Sequence, residues 1–276
     1  KGKTTLCEAM LYIAGASDRL GRVADGNTVL DFDSEEKRRK SSVSSAIAAL
    51  EWDNTKLNII DAPGLFDFEG GAAEAVRAAE AVLIVTSAGS GVDVGTEKAF
   101  RAAEKKGAAK FFAVTKTDSD HRNFYKTFDA LKEVYGNKLC PTIIPYMEGN
   151  ITKCYVNLMT GMAFSYDENG KATKVPVPED SVIEEMTSAF MEAVATTDDA
   201  LMEKFFEGEK FTKEEILKGL CIGIFDGSIY PVYAVSGLTC AGVDQLLYGL
   251  AWSAPGAFGY AGEKCTYENG EEGILP

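Results

Sequence analysis

The chain has 276 residues, of which 46% are hydrophobic, and a formal net charge of −14. That length supports one large α/β domain, or a domain carrying an inserted subdomain, around a packed core. The acidic balance argues against binding of nucleic acid by the whole surface, stand-alone DNA binding included. No run of about eighteen apolar residues occurs, so no membrane span is expected.

The single histidine, His121, and six scattered cysteines without a C-x-x-C pair argue against a His-rich metal site, a Ser-His-Asp triad, a zinc site and a disulfide framework. They fit thiols in a reducing cytoplasm. The chain opens inside a motif. Gly2-Lys3-Thr4-Thr5 reads as the tail of a phosphate loop, G-x-x-x-x-G-K-[ST], whose leading glycine and strand are expected upstream of Lys1. Backbone N–H groups of such a loop cradle phosphates at a helix N-terminus. Lys3 would reach the outer phosphates and the Thr4 hydroxyl would ligate Mg²⁺. On this motif alone, a Gly and a Lys opening an ordinary helix remain an alternative.

Leu6, Met10, Leu11 and Ala14 have helical spacing, and residues 15–27 read as loop. Residues 31–36 then run into the basic block Lys37-Arg38-Arg39-Lys40, followed by Ser41-Ser42. This stretch reads either as a solvated charged helix or as a mobile switch whose Ser42 hydroxyl meets a metal only when a terminal phosphate is present. Residues 46–52 and 56–61 form a predicted hairpin. Its second strand ends on Asp61, and Pro63-Gly64 turns the chain. A carboxylate at that strand end is where a P-loop NTPase holds its magnesium, here through water. Gly64 leaves room for its N–H to approach a terminal phosphate.

A helix over 69–79, a fully buried strand over 81–86, a helix to Lys106 with Thr96 as N-cap, and a strand over 110–114 follow. The alternation predicts a doubly wound, mostly parallel sheet covered on both faces. That last strand runs into Thr115-Lys116-Thr117-Asp118. The Asp118 carboxylate can accept from the N1–H and 2-amino group of guanine. Adenine presents neither donor, and leaving the carboxylate unpaired would cost about 1–3 kcal/mol. The Lys116 stem would pack on the base.

A helix over 121–135 and a short strand over 142–145 precede a change of character. Residues 149–210 read as an inserted α+β subdomain, with strands at 154–158 and 162–166, an Asn169-Gly170 turn and one long acidic helix over 180–206. Residues 1–148 and 211–253 would form the nucleotide domain. Its last strand, 229–235, leads into Ser236-Gly237-Leu238, where a backbone N–H would meet the guanine O6, or Gly237 is a plain turn. Residues 241–252 read as a closing helix, and 254–276 as a linker toward a further domain.

GKTT, DAPG, TKTD and SGL, in that order, resemble the G domain of translational GTPases, and more closely that of elongation factor G and its paralogues. Gly21-Arg22-Val23-Ala24-Asp25-Gly26 with Asp31-Phe32 is similar to that family's first switch, and residues 61–68 to its second. The insert, Leu217-Lys218-Gly219-Leu220 and Gly242-Val243-Asp244 also match its layout. The resemblance implies a P-loop GTPase using GTP/GDP and Mg²⁺, with the ribosome as partner in the cytoplasm. It assigns nucleotide contacts to Gly2, Lys3, Thr4, Thr5, Gly64, Thr115, Lys116, Asp118, Ser236, Gly237 and Leu238, and metal contacts to Thr4, Ser42 and Asp61.

Three positions depart from the family. Ser42 replaces the magnesium-binding threonine but keeps a hydroxyl. Thr115 replaces an asparagine. Leu65 stands where the family has the histidine that positions the attacking water. Leucine makes no hydrogen bond, and losing a proton-handling group costs about 10²–10⁴ in rate. Two readings follow: a ribosome-linked GTPase whose hydrolysis is slow or partner-dependent, or a GTP-gated ribosome-binding module. A ribosomal protection factor is a variant of the first. A metabolic P-loop kinase fits poorly, because the later motifs read guanine.

Overall fold

The protein is described here by a computed structural model covering residues 2–118, 123–149, 151–256, 263–268 and 270–275. Helix α1, Lys3–Ile13, starts from Gly2 in a left-handed conformation (φ 93°) and buries Leu6, Met10 and Leu11. Helix α2, Ser34–Arg39, is closed by a capping box between Asp33 and Glu36. Strands β1, Ala46–Trp52, and β2, Thr55–Asp61, pair antiparallel with Ala46 opposite Asp61. Their turn places Asp53 and Asn54 at φ 47° and 59°, as a two-residue hairpin turn with right-handed strand twist requires.

Helix α3, Glu69–Ala78, leads to β3, Ala81–Ser87; α4, Val94–Lys106, leads to β4, Ala109–Thr115; and α5, Phe124–Tyr135, leads to β5, Leu139–Glu148. Strands β6, Ile151–Asn157, β7, Met162–Tyr166, and β8, Ala172–Val175, then precede helices α6, Ser181–Ala195, α7, Asp199–Glu207, and α8, Lys213–Asp226. Strand β9, Tyr230–Ala234, and helix α9, Val243–Ser253, complete this part of the fold. One seven-stranded sheet runs β3-β4-β9-β5-β6-β7-β8. The β3-β4-β9-β5 portion is parallel, and β6, β7 and β8 add to it antiparallel. The strands of the predicted insert thus continue the main sheet. Phe111, Phe112, Ile143, Ile144, Val232 and Leu246 are fully buried at the centre of the core.

Several elements differ from expectation. Strand β3 is only half-buried along much of its length, because it is the outermost strand of its sheet and pairs with β4 alone among the described residues. Strand β5 is longer than 142–145. It carries Pro141 at a register shift against β9, between Pro141 and Ile143, and Pro145 one residue before a shift against β6, between Tyr146 and Met147, positions where a sheet tolerates proline. The cap of α4 is Asp93, whose carboxylate accepts from the Thr96 N–H; Thr96 is the capped residue. The acidic helix is two helices, broken at Thr196 and restarted by the Asp198 carboxylate accepting from the Ala200 N–H. Within the tail expected as a linker, β10, Glu263–Thr266, and β11, Glu272–Leu275, pair as a hairpin. Of the predicted 121–135 helix, residues 121 and 122 lie outside the described residues.

Candidate functional site

The sequence motifs meet at the N-terminus of α1 and the carboxyl ends of the strands. The Thr4 hydroxyl lies 3.0 Å from the Ser42 hydroxyl, and Ser42 Oγ donates to Asp31 Oδ1 at 2.7 Å. The Thr4 hydroxyl also neighbours the Asp61 carboxylate. All four side chains are buried. Helix α1, the 31–42 segment before β1 and the end of β2 are thereby joined through one polar cluster. Lys3 reaches across to the turn after β2, since a Cβ placed on Gly64 would lie 2.5 Å from Lys3 Nζ. A side chain there would displace the ammonium group, so glycine is needed for this approach.

The cluster is electrostatically loaded. Burial pushes the Asp61 carboxyl up to about 6. The Thr4 hydroxyl and the Lys3 charge pull it down, and Asp31 and Glu8 add to the upward push. Asp31 is likewise raised by burial, against the Ser42 hydrogen bond, with Glu36 raising it further and Lys3 lowering it. Its Oδ2 is buried with no hydrogen-bond partner among the described residues. Glu8, on α1, accepts from the Val29 and Leu30 N–H groups at 2.8 and 3.0 Å and is also raised, chiefly by burial. Asp31 and Asp61 are therefore both buried within reach of the Lys3 charge, an arrangement that a hard cation on oxygen donors would relieve. The donors present, two hydroxyls and the carboxylates, suit Mg²⁺. Among the described residues no group of three His, Cys, Asp or Glu side chains gathers as a metal cage, so the hydroxyls of Thr4 and Ser42 would be part of any such site.

At the other end, Thr115 Oγ1 donates to the Thr86 carbonyl at 2.9 Å and is 3.5 Å from where a Gly2 Cβ would sit. The start of the Thr115–Asp118 stretch therefore lies against Gly2. Lys116 is half-buried and held at φ 62°, a left-handed conformation that costs a non-glycine residue about 1–2 kcal/mol. Asp118 is exposed. Ser236 is fully buried; its N–H donates to the Ala241 carbonyl and its Oγ accepts from Thr239 N–H. A Cβ on Gly237 would lie 3.0 Å from the Thr5 carbonyl oxygen and 3.1 Å from the Leu6 nitrogen. Glycine there lets the 236–238 loop pack directly on α1, a role additional to both sequence readings. Leu238 is half exposed.

Leu65 follows Gly64 with its side chain 46% exposed; its carbonyl accepts from the Phe68 N–H. The neighbouring Phe66 ring carries Lys98 Nζ 4.6 Å from its centroid. Leu65 is thus an open position on the turn and no core residue. Sequence reasoning assigned no role in the site to Glu8, and Asp31 entered only as part of a switch-like stretch. Their burial depends on chain crossings that no local pattern shows.

The profile of the Elongation factor Tu GTP binding domain matches residues 1–255. The chain is 32% identical over 249 residues to an elongation factor G-like protein of Mycobacterium tuberculosis, in two strains alike, covering 89% of this chain and 34% of that protein. A crystal structure from Thermus thermophilus superposes with a TM-score of 0.87 at 33% identity, over 95% of this chain and 40% of that one. The chain therefore spans about a third of the curated relatives it matches. With GKTT, DAPG, TKTD and SGL drawn together in the fold, and with that match over nearly its whole length, the chain belongs to the family of the elongation factor Tu GTP binding domain.

Proposed function

We propose that this chain is the nucleotide-switch domain of an elongation factor G-like translational GTPase, which binds GTP or GDP with Mg²⁺ and works on the ribosome in the cytoplasm. Residues 1–148 and 211–253 would bind the nucleotide, and 149–210 would be an inserted subdomain. The observation that carries this reading is the buried chain from Thr4 to Ser42 to Asp31, beside Asp61. It brings the metal-side hydroxyls of helix and switch together, where one cation would engage both.

Each residue then has a physical task. The backbone around Gly2–Thr5 cradles phosphate at a helix N-terminus, and Lys3 supplies a cation to the outer phosphates. Gly64 leaves the space that Lys3 Nζ occupies and offers its N–H to a terminal phosphate. Thr4 and Ser42 present oxygens to Mg²⁺, and Asp61 holds its water. Bound Mg²⁺ would neutralise charge on the phosphate oxygens. Asp118 selects guanine, Lys116 packs on the base, and the loop Ser236–Leu238 with Thr115 walls it in.

Leu65 sets the rate. An exposed aliphatic side chain beside Gly64 neither orients nor deprotonates water, so intrinsic hydrolysis is expected to be slower by about 10²–10⁴ than with a proton-handling residue there. The same observation favours a second reading, a GTP-gated ribosome binder with little turnover. GTP turnover by the protein, with and without ribosomes and beside Leu65→His, decides between them. Strong stimulation of the native protein by ribosomes supports the GTPase. A response from Leu65→His alone supports the binder. Absence of GTP binding would overturn both.

A further inference from the structure

Tyr155, on β6, has no part in the site described above, yet its hydroxyl lies 2.7 Å from Thr117 Oγ1. Thr117 is the residue before Asp118. Its own hydroxyl proton goes to the Val235 carbonyl at 3.1 Å; with a single proton on that hydroxyl, Tyr155 must be the donor in their bond. The Thr117 carbonyl accepts from Thr152 Oγ1, also on β6, at 3.0 Å. Two side chains of one strand therefore hold both the side chain and the backbone of the residue next to the guanine-reading carboxylate. Tyr155 and Thr117 are each 4% exposed, so water does not compete for the bond.

The grip extends to the other base loop. Gly170, in the β7–β8 turn at φ +74°, packs so closely on Cys240 that a Cβ would overlap its side chain, and that Cβ would be 3.3 Å from the Thr239 carbonyl. Tyr166, on β7, donates to Asp244 Oδ1 at 2.6 Å, in the first turn of α9 just beyond the 236–242 loop. Both loops assigned to the base thus rest on β6, β7 and the β7–β8 turn.

We infer that Tyr155 is a positioning residue for guanine: its hydroxyl fixes Thr117, and through Thr117 the aim of Asp118, so that the antiparallel extension of the sheet sets how long and how selectively a guanine nucleotide is held. The inference rests on the guanine-nucleotide reading of the site.

The test is the release rate of fluorescently labelled GDP and IDP from native protein, Tyr155→Phe and Thr152→Val, with the melting temperature of each measured without nucleotide. IDP lacks the 2-amino group that Asp118 would accept from. Tyr155→Phe is expected to release GDP about tenfold faster, the factor that 1.4 kcal/mol of lost interaction produces, and IDP by a smaller factor. Thr152→Val is expected to move the same ratio in the same direction. In a Thr117→Val background, Tyr155→Phe adds nothing further. Unchanged GDP release in folded Tyr155→Phe overturns the inference, as does equal acceleration of GDP and IDP, which marks general loosening. If native protein holds ADP as tightly as GDP, the guanine reading fails first and the inference falls with it.

Discussion

Replacing Asp61 by asparagine tests the electrostatics of the buried cluster around Thr4, Ser42 and Asp31. Asp61 is 3% exposed, and folding lifts its pKa from 3.8 to about 6. A carboxyl whose pKa is higher folded than unfolded binds more protons when folded. Its contribution is therefore neutral at low pH, turns unfavourable as pH rises from about 4 to about 6, and stays so above that. A shift of about two units corresponds to roughly 3 kcal/mol. Asparagine removes the charge and keeps an oxygen that can accept from Thr4. At pH 7.5, without Mg²⁺ or nucleotide, Asp61→Asn is expected to be more stable by about 1–3 kcal/mol, a rise of about 2–4 °C per kcal/mol for a domain of this size. At pH 5 the gain should fall to about half. With Mg²⁺ and GTP the order reverses, because ligand binding stabilises only the protein that can bind. Thermal unfolding under these conditions is the assay. A variant less stable than native at pH 7.5 without ligands, or a gain independent of pH, refutes the reasoning.

Gly64→Ala places a Cβ 2.5 Å from Lys3 Nζ; the lysine end moves easily, so stability should hold while GTP affinity falls about 10- to 100-fold by calorimetry, the worth of a charge-assisted contact. Gly237→Ala meets backbone atoms of Thr5 and Leu6 at 3.0 and 3.1 Å, which cannot swing aside, and should cost about 1–3 kcal/mol in urea unfolding. An unchanged midpoint would show that the 236–238 loop does not bear on α1. Ser42→Ala removes bonds to Asp31 and Thr4 and should raise the Mg²⁺ concentration needed to retain GTP, with little effect on GDP, when nucleotide retention is titrated.

What the sequence made legible follows from range. The hairpin β1–β2, the parallel portion of the sheet and the order of the motifs rest on local period and on turn residues, and these survive tertiary context. The length of β5 was hidden by Pro141 and Pro145, which read as breakers until the fold shows them at, or one residue before, register shifts against two neighbours. The break at Thr196 lies in a run of acidic and apolar residues that keeps helical period on both sides, so only the cap at Asp198 reveals it. Burial of Glu8 and Asp31 was illegible because a carboxylate in a charged stretch looks solvated; the chain folds back over each of them. The bond from Tyr155 to Thr117 joins residues that no short-range pattern relates.

Strand β5 is hydrogen-bonded to β9 on one side and to β6 on the other, and its run from Leu139 to Pro145 is buried. Residues 149–210 are therefore not a bead on a tether. Excising them would convert an interior strand into an exposed apolar edge, a template for self-association. Conversely, a load applied at β8 is carried laterally through the β8–β7, β7–β6 and β6–β5 ladders into the parallel strands.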